Sequence, residues 1–241
     1  MNIIEINELI FLGIGKARAF LPLPNNPYYP GPEYEKRYAI RNLEQSNAIL
    51  DALGLDKKDS EGYRLRTNNK GRLNIKISVT GQSFINFDDI AELLVNHWND
   101  VGLDIKIRIE GETYYSRRAA NNEHHLSMWF SGGSENPWTY PVMTIPVSDT
   151  FAPLISKWYL NDGQEGVAPT GGLKRLLEIY EVGNSLPKVM RTELGKELWR
   201  IHSDNLFVIG TVGQSPAING IVVVKNNFRR RITSSALRDR C

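Results

Sequence analysis

Cysteine is almost absent: the chain carries one, Cys241. A single thiol excludes an internal disulfide and any thiolate metal cluster. No apolar run approaches the roughly 18 residues that cross a bilayer. The opening stretch, MNIIEINELIFLGIG, lacks a basic segment and a small-residue cleavage site, so it is not expected to be a secretory leader. Also missing are a G-x-S-x-G elbow, a P-loop and a G-x-G-x-x-G following a strand. Their absence removes the commonest signatures of serine hydrolases, NTPases and dinucleotide enzymes. No internal repeat and no low-complexity tract is visible.

Neither sign of charge dominates, with 29 lysines and arginines against 27 acids. The net charge of +2 is local: residues 229–241 hold five arginines and one aspartate, which leaves the rest of the chain at −2. Nucleic-acid binding needs a basic face on the folded part. Here the excess sits in RRRITSSALRDRC, which reads as a solvated or non-native tail, so no nucleic-acid partner is expected.

What the chain has is enough apolar material, 41% of 241 residues, for one large or two small cores. Residues 3–12 predict a short helix, with Ile6, Leu9 and Ile10 apolar and Gly13 just after. The proline- and tyrosine-rich stretch that follows, LPLPNNPYYPGPEYEKRY, predicts extended chain. Asn42 is placed to cap a helix with Gln45 as its partner, Leu43, Ile49, Leu50 and Leu53 as its apolar face, and Gly54 as its stop.

The pattern then sharpens. Leu73, Ile75, Ile77 and Val79 alternate as in a strand. Phe87, Ile90, Leu93, Leu94, Trp98 and Val101 recur at helical spacing up to Gly102, and Ile105, Ile107 and Ile109 alternate again. Strand, helix and strand with short joints predict a βαβ unit with parallel strands. A helix over 112–121, a strand at HHLSMWF, and helices over 150–161, 171–182 and 187–203 follow. LFVIGTV and IVVV close the pattern as strands buried on both faces. The fold class is α/β, with a mostly parallel sheet flanked by helices.

In open sheets of this kind ligands sit beyond the carboxyl ends of the strands. That places residues 80–86, 110–115 and 131–140 together. The third is the richest, because MWFSGGSENPW surrounds small polar residues with large rings. Trp129, Trp138, Tyr114, Tyr115 and Tyr140 offer stacking faces with polar tips. Gly132 and Gly133 let backbone approach a ligand. Ser131, Glu135 and Asn136 supply polar groups, and these ten residues are the candidate ligand site. Trp129 serves equally well as core or as ligand wall.

Catalytic readings are thinner. His124 and His125 are adjacent, so on a strand they point to opposite faces, and neither His97 nor His202 completes a metal pattern. No metal and no cofactor is expected. Glu110, Glu112 and Glu135 satisfy the two-carboxylate requirement of a glycosidase only in the loose sense that acids are present.

The succession QSNAILDALGLDKKDSEGYRL, IAELLVNHWNDVGLDIKIRI and MWFSGGSENPW resembles the extracellular solute-binding proteins of ABC importers, in the class that includes oligopeptide- and dipeptide-binding members. The matching features are Asn47 to Gly54, the acidic glycine-bearing turn Asp56 to Gly62, the turn before the isoleucine-rich strand at Val101 to Ile109, and LWRIHSDNLFVIGTVGQSPAINGIVVVKNNF near the end. The order and spacing of these segments carry the resemblance, which extends to Phe228.

The resemblance implies a type II periplasmic-binding-protein-like fold: two lobes joined by a hinge, with this chain supplying the C-terminal lobe and part of the N-terminal one. On that basis residues 1–70 belong to the first lobe and a crossing segment, 71–205 to the ligand-binding lobe, 206–228 to return strands, and 229–241 to a tail foreign to the pattern. It also implies a peptide or sugar ligand, ABC permease subunits as partners, a periplasmic or extracytoplasmic location and no enzymatic step. In peptide-binding members an aspartate near this loop receives the amino terminus. Here Gly132, Gly133, Ser134 and Glu135 stand in the region, leaving Glu135 as a substitute or a ligand that is not a peptide. The alternatives are a glycoside hydrolase using the loop carboxylates and a protein-interaction module built on residues 22–38.

Overall fold

The computed structural model describes residues 1–35, 37–81 and 85–213. Its elements run, in chain order, α1 Ile3–Phe11, β1 Lys16–Ala17, α2 Pro32–Glu35, α3 Leu43–Ala52, β2 Asn74–Thr80, α4 Phe87–Asn99, β3 Asp104–Glu110, α5 Glu112–Ala120, β4 Leu126–Ser127, α6 Pro153–Leu160, α7 Gly171–Asn184, a single 3₁₀ turn Lys188–Arg191, α8 Thr192–Asn205 and β5 Val212–Gly213.

The predicted βαβ unit is present. β2 and β3 pair in parallel from Asn74 opposite Asp104 to Thr80 opposite Glu110. β4 joins the other side of β2, also in parallel, so β2 is the central strand. That position explains its burial: Ile77, Ser78, Val79 and Thr80 are all buried, on both faces. α4 lays Phe87, Ile90, Ala91, Leu94 and His97 on the sheet at the i, i+3, i+4, i+7 spacing of one helical face. Asp88 and Asp89 in its first turn favour the positive end of the helix dipole.

Two apolar cores result. The first gathers Ile77, Val79, Phe87, Ile90, Leu94 and Ile105 with Ile6 of α1. Fully burying a side chain such as Ile6 contributes about 1.5–3 kcal/mol toward docking α1, and Ile3 of the same helix is buried as well. His97 adds a polar clasp: its Nε2 donates to the Glu5 carboxylate at 2.8 Å, and its Nδ1 accepts from the Asn2 amide at 3.3 Å. The second core joins Leu176, Leu177 and Ile179 of α7 and Leu198 and Trp199 of α8 to Leu21, Tyr28, Ile145 and Phe151. The proline-tyrosine stretch is thus partly a structural strap, with Tyr28 only 2% exposed.

Three expectations need correction. α3 forms and Asn42 does cap it, accepting from the Gln45 amide at 2.9 Å, but no residue of the helix is buried; Ile49 is largely exposed. The expected strand at HHLSMWF is only two residues long: the Met128 amide still donates to the Ser78 carbonyl at 3.1 Å, but Trp129 and Phe130 leave the ladder to pack as rings. LFVIGTV is not a doubly buried strand: Leu206 takes a left-handed backbone as the cap of α8, Ile209 is half exposed, and only β5 pairs, antiparallel with β1. IVVV and the tail lie outside the described residues.

Candidate ligand-binding site

A cavity of about 790 Å³ lies between the two cores. Each of the three segments expected at the carboxyl edge contributes to its lining: Ile85 from the first, Tyr115 from the second, and Ser131, Ser134 and Glu135 from the third. The β1–β5 connection adds Arg18 and residues 210–213. Its size falls in the range of small-molecule sites, and its mostly apolar lining with a few polar groups is their usual composition.

The wall is a run of stacked rings. Trp129 lies 5.6 Å from the ring of Tyr115 at 25° and 5.2 Å from Phe130 at 28°, with Phe87 tilted behind at 5.9 Å. Tyr115 is locked in place: its hydroxyl donates to the Met128 carbonyl at 3.0 Å, and burial raises its pKa above the usual phenol value. Trp129 is half-buried, so it serves core and cavity at once. His124 stacks on the other face of this group, 6.5 Å from Tyr115. Burial lowers its pKa, against a smaller opposing effect of Glu110.

The ten candidate residues do not share one place. Trp129, Tyr115, Ser131 and Glu135 line the cavity; Gly132, Gly133, Asn136, Trp138, Tyr140 and Tyr114 do not. Asn136 shapes the loop instead, its Oδ1 accepting from the Trp138 amide at 3.3 Å. Trp138 is seated in the second core. Its indole N–H donates to the Tyr180 carbonyl at 3.3 Å, its ring meets Tyr28 edge-on at 5.3 Å, and the Arg191 guanidinium lies 5.6 Å away. Tyr114 is 65% exposed on the outer face of α5, and the exposed Tyr140 packs over Gly133, whose φ is +90°.

The seat of Trp138 makes a prediction. A Cβ at Gly183 would stand 2.1 Å from the indole nitrogen. Gly183→Ala is expected to lower stability by about 1–3 kcal/mol through overpacking, despite the roughly 1 kcal/mol that alanine gains in a helix. A urea midpoint equal to or above that of the parent protein would show that the indole moves aside at no cost.

The carboxylates do not form a catalytic pair. Glu110 accepts from Arg118 Nε at 2.6 Å, and of Glu110, Glu112 and Glu135 only Glu135 lines the cavity. His125 Nδ1 accepts from the Lys76 amide at 3.1 Å while His124 lies against Tyr115, so the two imidazoles are committed to different neighbours. Among the described residues, no group of three or more histidine, cysteine, aspartate or glutamate side chains is placed to hold a metal ion.

Phe130, Ser134 and Arg18 are among the lining residues that the sequence pattern does not single out. Phe130 was visible in the quoted stretch as one more ring. Ser134 was one small residue among several. Arg18, in GIGKARAFLPL, carries only the weak signal of one of two cations, with Lys16, in a mostly apolar run.

A three-stranded parallel sheet flanked by helices, with an aromatic-lined cavity beyond its strands, is the architecture of one lobe of a type II solute-binding protein. Residues 1–151 match the model of the bacterial extracellular solute-binding proteins, family 5 Middle, and the chain belongs to that family. Among solved structures, it superposes on the oligopeptide-binding protein OppA with a TM-score of 0.78 and 29% identity over 88% of this chain and 35% of that one. An oligopeptide-binding protein of Thermotoga maritima, solved with mannohexaose, gives 0.65 and 16% identity over 89% of this chain and 39% of that one. The periplasmic binding protein MelB of Agrobacterium fabrum C58, solved with stachyose, gives 0.59 and 19% identity over 73% and 26%. These last two share the fold. The chain spans about a third of the length of such structures. No curated protein sequence matches it.

Proposed function

We propose that this chain provides one wall of the ligand cleft in the solute-binding subunit of an ABC importer, and that an oligopeptide or oligosaccharide is captured there by closure of two lobes. The observation that carries the reading is the cavity that joins Trp129, Tyr115 and Glu135. Stacked rings give a solute a broad surface at little entropic cost, since two torsions fix each ring. Closure against a second lobe removes water from that surface and strengthens every polar contact within it. A solute drives closure only through its higher affinity for the shut form, which the importer's permease subunits then recognise. The site is periplasmic or extracytoplasmic, and no bond is made or broken.

Thermal melting of the full-length protein against peptides and oligosaccharides tests this. Ligand at about 100 times its dissociation constant stabilises by about 2.7 kcal/mol and raises the melting temperature. In Trp129→Ala the affinity is expected to fall by about tenfold or more through loss of ring stacking and buried area. A ligand-induced shift of unchanged size in that variant would remove the cavity from the binding site.

A further inference from the structure

The strand that leads into the aromatic wall is held by little. β4 pairs with β2 over Leu126 and Ser127, and Met128, Trp129 and Phe130 follow directly. Just beyond β4 the Met128 amide donates to the Ser78 carbonyl at 3.1 Å, and the Met128 carbonyl accepts from the Tyr115 hydroxyl at 3.0 Å. At the other end of β4 the main-chain ladder stops early. Residues two apart on a strand turn their hydrogen-bonding groups to the same neighbour, so Lys76, like Ser78, faces β4. A regular ladder would take the Lys76 amide to the His124 carbonyl. Its acceptor is instead the His125 side chain, with Nδ1 3.1 Å away. An imidazole stands in for a peptide group.

That substitution carries a chemical condition. Nδ1 accepts only while the ring is neutral; in the imidazolium both nitrogens donate. A protonated His125 would set one N–H against the N–H of Lys76. His125 is exposed and borders the cavity, so solvent protons reach it. The charges around it do not welcome a proton. Lys76 is a cation, and Lys106 and Arg108 stand opposite Lys76 and Ser78 on β3. The carboxylates nearby, Glu110 and Glu123, are both engaged by Arg118 of α5. The neighbouring His124 lies against Tyr115, with Nδ1 buried and without a partner among the described residues. Burial lowers its pKa, Glu110 opposes this, and His125 adds to it. Both imidazoles are therefore arranged for the neutral state.

We propose that His125 is a proton-operated latch on the cavity wall: neutral, it pins the start of β4 to β2 and holds the run from Met128 to Phe130 in place; protonated, it drops the Lys76 amide and lets that segment open. The latch depends on the sheet and not on what the cavity holds. Histidine is the side chain whose ordinary charge change falls between pH 5 and 8, so the transition lies in a range that an exported protein meets. Whatever packs on the rings is gripped at neutral pH and loosened in acid.

The test is hydrogen–deuterium exchange of the full-length protein, read by mass spectrometry at pH 7.5 and 5.5 and corrected for the intrinsic pH dependence of exchange. A free histidine titrates near 6.5, so an open form that accepts the proton and a latched form that refuses it differ by about tenfold over that interval. Peptides spanning residues 72–80 and 124–131 are expected to lose about tenfold in protection at pH 5.5, beyond any loss in α7 and α8. His125→Asn puts an amide oxygen where Nδ1 stands and takes up no proton; it should keep the protection of pH 7.5 and lose much less of it in acid. His125→Leu has no acceptor and should exchange at pH 7.5 about as fast as the parent protein does at pH 5.5. The comparison of the two pH values on the unaltered protein stands even if a variant folds poorly. Unchanged protection in the parent protein, a loss shared equally by α7 and α8, or a loss in His125→Asn as large as in the parent overturns the latch.

Discussion

Replacing Arg64 by alanine is expected to lower the free energy of unfolding by about 3–5 kcal/mol, the range seen when one partner of a buried ionic network is removed. The side chain is 1% exposed. Its Nε donates to the Val101 carbonyl at 2.7 Å, one terminal nitrogen to Asn47 Oδ1 at 2.6 Å, and the other to both the Asp51 carboxylate and the Leu55 carbonyl. Its amide donates to the Gly102 carbonyl at 2.7 Å, and its own carbonyl accepts from Leu73 at 2.8 Å. One residue thereby ties α3, the turn that ends α4 and the entry to β2. This resolves the oddity of α3, a helix with no buried residue: a cation holds it from beneath. Gly102 belongs to the same device. Its φ of +80° suits glycine, and a Cβ there would meet the Gly62 carbonyl at 2.7 Å and the Arg64 side chain at 3.2 Å.

Alanine at position 64 would strand two carbonyls and an amide oxygen and leave a void. Asp51 is half exposed, so water can replace its arginine. Asp51→Asn should therefore cost about 1 kcal/mol or less. Arg64→Lys keeps the charge without the fork and should fall between the two. Urea denaturation of the three variants checks the ranking. If Asp51→Asn proves as damaging as Arg64→Ala, the ion pair rather than the fork to the backbone holds the segment.

How far the sequence disclosed this structure depends on whether a feature is periodic or tertiary. The βαβ unit was legible because Ile75, Ile77 and Val79 and then Phe87, Ile90 and Leu94 switch cleanly from a period of two to one of 3.6. The cap at Asn42 was legible because it is local. The face of α3 was misread because an apolar pattern does not say what lies opposite it, and here a buried arginine does the holding. The run from Leu206 to Val212 was misread because Phe207 and Val208 pack on the second core in passing, and only Val212 reaches a ladder, where it also meets the first core. In the candidate site, sequence order places Trp129, Tyr115 and Glu135 beyond the strand ends, and the three line one cavity. It could not separate Trp129 from Trp138, which stand in one loop but turn to different cores. Arg18 comes from more than a hundred residues upstream, and only the folded chain brings it to that cavity.

Acidification should destabilise this protein through His202. The imidazole is fully enclosed and ringed by Phe151 at 5.6 Å, Trp199 at 5.7 Å, Phe20 at 5.8 Å and Phe207 at 5.9 Å. Its Nε2 donates to the Thr144 carbonyl at 2.7 Å, while Nδ1 has no partner among the described residues. Burial drives its pKa down to about 4, and the hydrogen bond to Thr144 only partly opposes this. In the unfolded chain histidine titrates near 6.5. Below about pH 6.5 the unfolded state thus takes up a proton that the folded state refuses. Stability from this group is fully present above that pH. It is lost as pH falls toward about 4, at up to about 1.4 kcal/mol per unit and about 3 kcal/mol in all. Below about pH 4 both states are protonated and the slope ends. His202→Phe keeps the ring packing but cannot take up a proton, so its stability should fall less steeply between pH 6.5 and 4 than that of the parent protein. At pH 7.5 the same variant should be less stable by about 1–3 kcal/mol, because the Thr144 carbonyl loses its buried donor. The two curves are therefore expected to converge or cross on acidification. Parallel curves in urea midpoints measured across that range would show that His202 is not the group that senses the proton.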